Sequence, residues 1–296
     1  MSTIPTSPSN NSHGSKAWSE SWTHLRVERP SRGYCRVTFD HPPINTMTAT
    51  TVAELAELVG LIEHDGDLNV VVFDSANPDF YLAHYDVEHD PARTAALGVG
   101  PTGMHAWLDL LVRLSRAPAV SIAAIRGRAR GSGSEFVLAC DLRMASRENT
   151  LLGQFEVGTG VVPGGGPMAR LSRLVGRGRA LEILLLADDL DGPRAELYGY
   201  VNRLIPDGEL DAEIEAIASR LARFDHDALA RTKRYVDLVT LPPNSELAPA
   251  LDDFFELLAR PEQQAVGARL EALGLNVDSD LERSLGRRVV EALPDG

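Results

Sequence analysis

The sequence predicts an α/β fold from three observations. Short apolar runs with strand character alternate with helical stripes over the first 206 residues, glycine-rich turns join strands to helices, and the rest of the chain is almost wholly helical. Such alternation builds a sheet covered by helices rather than a sandwich. With 296 residues and 44% hydrophobic content, the chain can bury a sizeable core in one domain with a small appendage.

The first strand is Tyr34-Cys35-Arg36-Val37-Thr38-Phe39, which alternates apolar and polar residues. His41-Pro42-Pro43 then breaks the chain. Residues 48–63 carry apolar side chains at Val52, Leu55, Leu58, Val59 and Ile62, the spacing of one helix face. Residues 68–73 are dense in valine, as a strand buried on both faces should be. An amphipathic helix over 104–116 and a buried strand over 119–125 follow. Glycines crowd 127–133 ahead of a short apolar helix over 135–140, then comes a strand over 142–145. Residues 153–166 contain six glycines and one proline and are expected to form a loop with unusual backbone angles. A helix over 177–186 closes this part. Helices are expected over 210–223, 226–239, 246–259, 262–273 and 279–293. The organisation expected is a tail over 1–22, a core over 23–206 and a helical C-terminal part over 207–296. Those last helices must cover the core or a neighbouring subunit to bury their apolar faces.

Composition narrows the function. A net charge of −13 argues against nucleic acid or an anionic membrane surface as partner. A helix N-terminus can still hold the phosphates of an anionic substrate. No uninterrupted run of about 18 apolar residues exists, so no membrane span is expected. Two cysteines, Cys35 and Cys140, fit neither a disulfide framework nor a metal set, and a cytoplasmic location is expected. The first 22 residues, rich in Ser, Thr, Pro and Asn, lack the apolar core of a secretory signal and read as a disordered tail.

Three stretches concentrate unusual backbone chemistry: 77–87, 125–135 and 153–166. In the second, a glycine-rich turn leads from a strand into a helix, which leaves free N–H groups able to receive an anion or a developing oxyanion. No Gly-Lys-Ser/Thr follows and the dinucleotide glycine spacing is absent. In order along the chain, Phe80-Tyr81-Leu82-Ala83-His84-Tyr85-Asp86 resembles Phe-x-Ala-Gly-Ala-Asp-Leu of the crotonase (enoyl-CoA hydratase/isomerase) superfamily. Residues 127–141 resemble its Gly-Tyr-Ala-x-Gly-Gly-Gly-x-Glu-Leu-x-x-x-Cys-Asp block. Leu152-Gly153-Gln154-Phe155-Glu156 is similar to Phe-Gly-Gln-Pro-Glu, and 162–171 to Ile-Pro-Gly-x-Gly-Gly-Thr-Gln-Arg-Leu. Residues 187–206, ending Gly199-Tyr200-Val201-Asn202-Arg203-Leu204-Ile205-Pro206, resemble the stretch that closes on Gly-Leu-Val-x-x-Val-x-Pro. Five blocks in one order over about 170 residues are more specific than any one of them.

The resemblance implies a crotonase-like ββα spiral core with a helical C-terminal trimerisation part, and an assembly of trimers or dimers of trimers. It implies an enzyme that adds water across the 2,3-double bond of an acyl-CoA thioester. The backbone N–H groups of His84 and Ser132 would form the oxyanion hole, and Glu135 and Glu156 would be the acid/base pair. Substrate contacts fall at Ala83, Tyr85, Gly131 and Gly166, the last positioning water or substrate through its N–H. No cofactor beyond the CoA of the substrate and no metal are implied, since His84 has no second histidine at ligand spacing; His89 is five residues on.

Several readings stay open at this level. His84 stands where the family has alanine: its ring either points away or approaches the thioester carbonyl. Tyr85 replaces an aspartate and receives no specific role. Arg126, Arg128 and Arg130 are solvated, paired within the chain, or in contact with CoA phosphates. Asp253-Phe254-Phe255-Glu256 marks a subunit contact or closes the chain's own core. The segment 86–103 is compatible with a substrate-gating loop. Isomerisation, decarboxylation, hydrolysis or C–C cleavage would use the same enolate stabilisation, and a non-catalytic acyl-CoA-binding subunit is the alternative outside enzymes.

Overall fold

The computed structural model describes Trp18, residues 21–86 and residues 91–294. Most of the expected tail, and His89, lie outside the described residues.

A six-stranded sheet runs in the order β1 (Leu25–Ser31), β2 (Tyr34–Phe39), β3 (Val70–Ser75), β5 (Val120–Ile125), β7 (Leu142–Ser146) and β10 (Arg203–Ile205). Only the β1–β2 pair is antiparallel; the others are parallel. A second sheet pairs β4 (Phe80–Leu82), β6 (Arg128–Arg130) and β8 (Leu151–Gly153) in parallel, with β9 (Leu190–Asp191) antiparallel at its edge. The chain therefore passes from β3 to β4, from β5 to β6 and from β7 to β8, each time leaving the large sheet for the small one. Repetition of that step makes a spiral of strand pairs, the crotonase-like core.

The expected strands and helices of the core appear with boundary shifts of a few residues. The stretch 48–63 forms α1 (Ala49–His64), whose Thr48 caps the helix by accepting from Thr51 N. Proline-initiated α2 (Pro91–Ala95) lies in the segment after β4. Residues 104–116 form α3 (Ala106–Arg116), and the helix expected from 135 begins earlier, as α4 (Ser132–Ala139). The strands of the small sheet were not visible as patterns, because each spans two or three residues, too few for a period to register. Helices α5 (Pro167–Val175), α6 (Arg177–Leu186) and α7 (Gly192–Tyr198) complete the core.

Between the sheets and α4 lies an aromatic cluster. Phe136 meets Phe39 and Phe73 edge-on, with centroids 5.3 and 5.0 Å away, and Phe39 meets Tyr81 at 5.6 Å. All four rings are buried, and the Tyr81 hydroxyl donates to Phe73 O at 3.0 Å. These contacts fix α4 and β4 against the large sheet.

In the C-terminal part, α8 (Leu210–Leu221) buries Leu210, Ile214 and Ala218 on the far face of the large sheet. Helix α9 (His226–Thr240) buries none of its residues and leaves Tyr235, Leu238 and Val239 exposed. Helix α10 (Asn244–Leu258) packs Leu247 and Leu251 on Met104, Leu108 and Val112. Helix α11 (Pro261–Leu273) packs Val266 and Leu270 against Leu281 and Leu285. The single helix expected over 279–293 is instead broken into α12 (Asp280–Arg283), α13 (Leu285–Arg288) and a 3-10 turn at Val289–Ala292. Ser284, at φ −133° and ψ 25°, interrupts it, and the break lets Glu282 turn into the core.

The close approach of β4 to the start of α4 depends on Gly133: a Cβ there would lie 2.2 Å from Leu82 O and 2.7 Å from Leu82 Cβ. Alanine in a helix is favoured over glycine by about 1 kcal/mol, but overpacking against fixed backbone costs about 1–3 kcal/mol, so the clash should win. Gly133→Ala is expected to lower the urea midpoint at constant m-value; an unchanged or raised midpoint would contradict this packing.

Candidate active site

The segment after β4 is held by the loop before α1. Ala83 N donates to Asn45 O at 3.2 Å, Met47 N to His84 O at 2.7 Å, and Asp86 N to Met47 O at 2.8 Å. These bonds occupy the amides of Ala83 and Asp86 together with the carbonyl of His84. Ser132 is the first residue of α4, so its N–H has no intrahelical acceptor. Among the described residues, neither the Ser132 N–H nor the His84 N–H donates in any turn, loop or cap hydrogen bond. The two amides are brought near each other because β4 and β6 pair in parallel, Phe80 opposite Arg128 and Leu82 opposite Ala129. A Cβ at Gly131 would lie 3.5 Å from His84 Cβ and 2.9 Å from Glu156 Oε1, so the three segments meet at this turn.

Glu135 lies in the first turn of α4, where a carboxylate favours the helix N-terminus. It is buried; its Oε2 accepts from the Trp107 indole N–H at 2.7 Å and its Oε1 from Gly165 N–H at 2.6 Å. Burial raises its carboxyl above the usual range, against the opposing pull of the Trp107 and Gly165 donors and of Arg170. Glu156 opens the 3-10 turn Glu156–Thr159 just after β8. Burial, and then the neighbouring Glu135 carboxylate, push its carboxyl well above the usual range. Gln154, with its amide nitrogen toward Glu156, donates to the two carboxylate oxygens at 3.2 and 3.1 Å and accepts from Ser134 Oγ at 2.9 Å. Two buried carboxyls so arranged disfavour carrying both negative charges at once.

His84 is buried with its ring edge-on to Phe155, centroids 5.5 Å apart. Its Nε2 lies 2.7 Å from Glu282 Oε1 and its Nδ1 3.1 Å from Tyr85 O. Neither ring nitrogen is left over for a substrate, so of the two readings of His84 the structure favours a ring turned to the protein. Burial pulls the imidazole down, yet Glu282 and the Tyr85 carbonyl outweigh it and leave His84 raised.

These groups line a cavity of about 140 Å³. His84, Tyr85, Gly131, Ser132, Glu135 and Glu156 all face it, and Trp107, Phe155, Leu251, Phe254, Phe255 and Leu270 form much of its apolar wall. Two expected contact residues do not line it. Ala83 packs with Ile44 and Phe80 in a small core of its own. Gly166 caps α5 at φ 77°, where a Cβ would lie 2.4 Å from Leu247, so it is Gly165 that supplies an N–H to the site. The shift by one residue follows from Pro167, which starts α5 and takes Gly166 out of the loop.

The three arginines are engaged within the chain. Arg126 pairs with Asp207 at 2.9 Å. Arg128 donates to Arg283 O at 3.0 Å and Asp79 O at 3.1 Å. Arg130, fully buried, grips Asp189 with two bonds of 2.7 Å. Phe254 and Phe255, edge-on to each other at 5.4 Å, belong to the chain's own cavity wall. Trp107, Gln154, Gly165 and Glu282 were not singled out in the sequence. Gln154 lay inside a recognised block, whereas Trp107 and Glu282 reach the site from helices whose patterns gave no sign of it.

A spiral of strand pairs, with free amides and paired buried carboxyls meeting in one apolar cavity, defines a protein of the crotonase fold. The sequence profile described as enoyl-CoA hydratase/isomerase matches residues 29–250, and the chain belongs to that family. It is 32% identical over 190 residues to a short-chain-enoyl-CoA hydratase of Clostridium acetobutylicum, covering 62% of this chain and 70% of that protein. It is 31% identical over 180 residues to a crotonyl-CoA hydratase of Syntrophomonas wolfei, covering 60% and 67%. Among solved structures, a candidate enoyl-CoA hydratase from Streptomyces avermitilis superposes with a TM-score of 0.86 at 41% identity, covering 91% of this chain and 97% of that one. Pseudomonas aeruginosa DspI superposes with a TM-score of 0.68 at 29% identity, covering 87% and 98%.

A carboxyl with a raised pKa binds its proton more tightly folded than unfolded. Its burial is therefore harmless at acid pH, and stability declines as pH rises through the ordinary carboxyl range toward the raised value. Glu156→Gln, which mimics the protonated form, should stabilise the protein at pH 7–8 by about 0.5–2 kcal/mol, the usual scale of a stabilising substitution. The gain should vanish near pH 4. Thermal unfolding across pH measures it, and a Gln variant less stable than the parent at pH 8 would contradict the arrangement.

Proposed function

We propose that the protein is an enoyl-CoA hydratase-type lyase, adding water across the 2,3-double bond of an acyl-CoA thioester. One observation carries the reading: two buried carboxyls, Glu135 and Glu156, line the same cavity as His84 and Ser132, whose N–H groups have no acceptor among the described residues. Hydration needs two proton-handling groups on one double bond and a receiver for charge on the thioester oxygen.

In this reading the thioester carbonyl accepts from the His84 and Ser132 amides. Water attacks C3 and loses a proton to Glu135, whose two N–H donors favour its ionised form over that of Glu156. The C2–C3 π electrons move onto the carbonyl as an enolate, and the two amides hold the oxyanion. Glu156, protonated because burial and Glu135 raise it, delivers its proton to C2. Return of the proton from Glu135 to Glu156 resets the pair. Gln154 orients the Glu156 carboxyl, and the apolar wall excludes bulk water and receives the acyl chain. Gly131 and Tyr85 line the cavity, which supports reading them as substrate contacts.

We further infer that CoA enters only as part of the substrate, with no separate cofactor. Subunits assemble as trimers or dimers of trimers, a reading supported by the exposed apolar residues of α9. A cytoplasmic location accords with the free, buried thiols of Cys35 and Cys140. Among the described residues, no helix is long and apolar enough to cross a membrane.

With crotonyl-CoA as substrate, the absorbance of the conjugated thioester should fall and the product should gain the mass of one water. Glu135→Gln and Glu156→Gln should each lower turnover by about 10²–10⁴-fold, the usual contribution of a positioned acid or base. Loss of absorbance no faster than in Glu156→Gln would reject hydration. A product without added water would assign the cavity to another enolate reaction such as isomerisation or hydrolysis.

A further inference from the structure

Among the described residues, Glu282 is the one buried carboxylate of the C-terminal part that reaches the site. It is fully buried, and its Oε1 accepts from Asn276 N–H at 2.8 Å while lying 2.7 Å from His84 Nε2. Its own main-chain carbonyl accepts from Arg130 Nη1 at 2.6 Å, and Arg130 is in turn fixed by Asp189. The C-terminal segment is thus tied to the segment after β4 through His84 and to β6 through Arg130. Those are the strands whose ends carry the two free amides.

The hydrogen-bond geometry also sets the state of the ring. Tyr85 O, opposite Nδ1, is a carbonyl and can only accept. Glu282 Oε1, opposite Nε2, already accepts from Asn276 N–H. The pairing holds Glu282 below the usual carboxyl range and His84 above the usual imidazole range, so Nε2 donates as well and His84 pairs as an imidazolium with a carboxylate. Among the described residues, the charged groups acting on it are Glu282 from α12 and Arg130 from β6, the latter with its partner Asp189.

We propose that Glu282 is a positioning residue of the active site: its buried ion pair with His84 locks the segment after β4 so that the His84 N–H faces the cavity. This rests on the hydratase reading for its kinetic consequence, though not for its structural one. The imidazolium is neutralised by Glu282, so it does not act as the proton donor. It holds the main chain, and at the moment of reaction the amide needs no reorganisation. A buried pair of this kind adds little stability over an apolar one, which fits a role in fixing geometry.

Glu282→Gln tests the proposal. The amide keeps the length of the side chain and an oxygen for the Nε2–H and Asn276 N–H, but it removes the charge. Expected with crotonyl-CoA is a fall in kcat of about tenfold or more with KM within about twofold, since the lost interaction serves the transition state. The pH profile supplies a second readout. The parent imidazolium is held by its carboxylate and keeps its proton to higher pH than an ordinary histidine. In Glu282→Gln it loses that proton at lower pH, so kcat should decline through the neutral range where the parent is flat. Nitrogen NMR of the His84 ring at pH 7 supplies a third, independent of turnover: both nitrogens protonated in the parent, one in the variant. Should Glu282→Gln not fold, the double variant His84→Ala/Glu282→Leu removes both charges, and the same fall in kcat is expected.

A fall in melting temperature with kcat and its pH profile unchanged would overturn the proposal, as would a neutral His84 ring in the parent. A parent that binds crotonyl-CoA without hydrating it would reject the hydratase reading alone. The ring NMR and the shift of the His84 amide signal between parent and variant would then decide whether the lock exists.

Discussion

The parallel pairing of β4, β6 and β8 is the constraint on which the site depends. Parallel strands end at the same edge, so the segments that leave them start side by side. After β4 the chain presents the His84 amide, after β6 the Ser132 amide and Glu135, and after β8 Glu156. The strands span three residues each, and their register is set from outside, by the aromatic cluster around Phe136 and by the loop at Asn45–Met47. A one-residue slip in either pair would turn alternate side chains to the opposite face and separate the amides from the carboxyls.

Charge in an apolar cavity is the second constraint. Ionised groups that lose water must find partners or change their protonation. Glu135 has two N–H donors, His84 has Glu282, and Arg130 has Asp189. Glu156 has the Gln154 amide but faces a second carboxyl, so its carboxyl is pushed well above the usual range. Unequal partnering of two neighbouring carboxyls drives their proton affinities apart, which is the condition for one to accept while the other donates. The same imbalance costs stability at neutral pH, a cost common at functional sites.

Much of this was legible in the sequence where residues are placed by local rules. The valine-rich strand at 70–75 and the stripe from Val52 to Ile62 announce themselves by their periods. Glu135 and Glu156 were visible through the resemblance of the glycine-rich blocks around them to those of the crotonase superfamily, since neither stands out by itself. What was hidden is set by tertiary contact alone. The small sheet is too short for a pattern. Gly165 and Gly166 are chemically identical in sequence and differ only in which one Pro167 places at the helix start. Trp107 reads as one more apolar residue on an amphipathic helix, and nothing local marks its indole as the donor to Glu135. Glu282 reads as a solvated charge on a long helix, until Ser284 breaks that helix and turns the carboxylate toward a histidine 198 positions away.

Two main-chain amides polarising one carbonyl are the centre of the proposed chemistry. Isotope-edited infrared difference spectroscopy of a carbonyl-labelled acyl-CoA, bound to a Glu156→Gln background that does not turn it over, reads that polarisation directly. Two converging N–H donors should move the thioester C=O stretch to lower frequency on binding. Ser132→Pro, which suits the first turn of a helix yet removes one donor, should abolish much of the shift. A bound thioester whose carbonyl stretch matches that in water, or a shift unaffected by Ser132→Pro, would contradict the account.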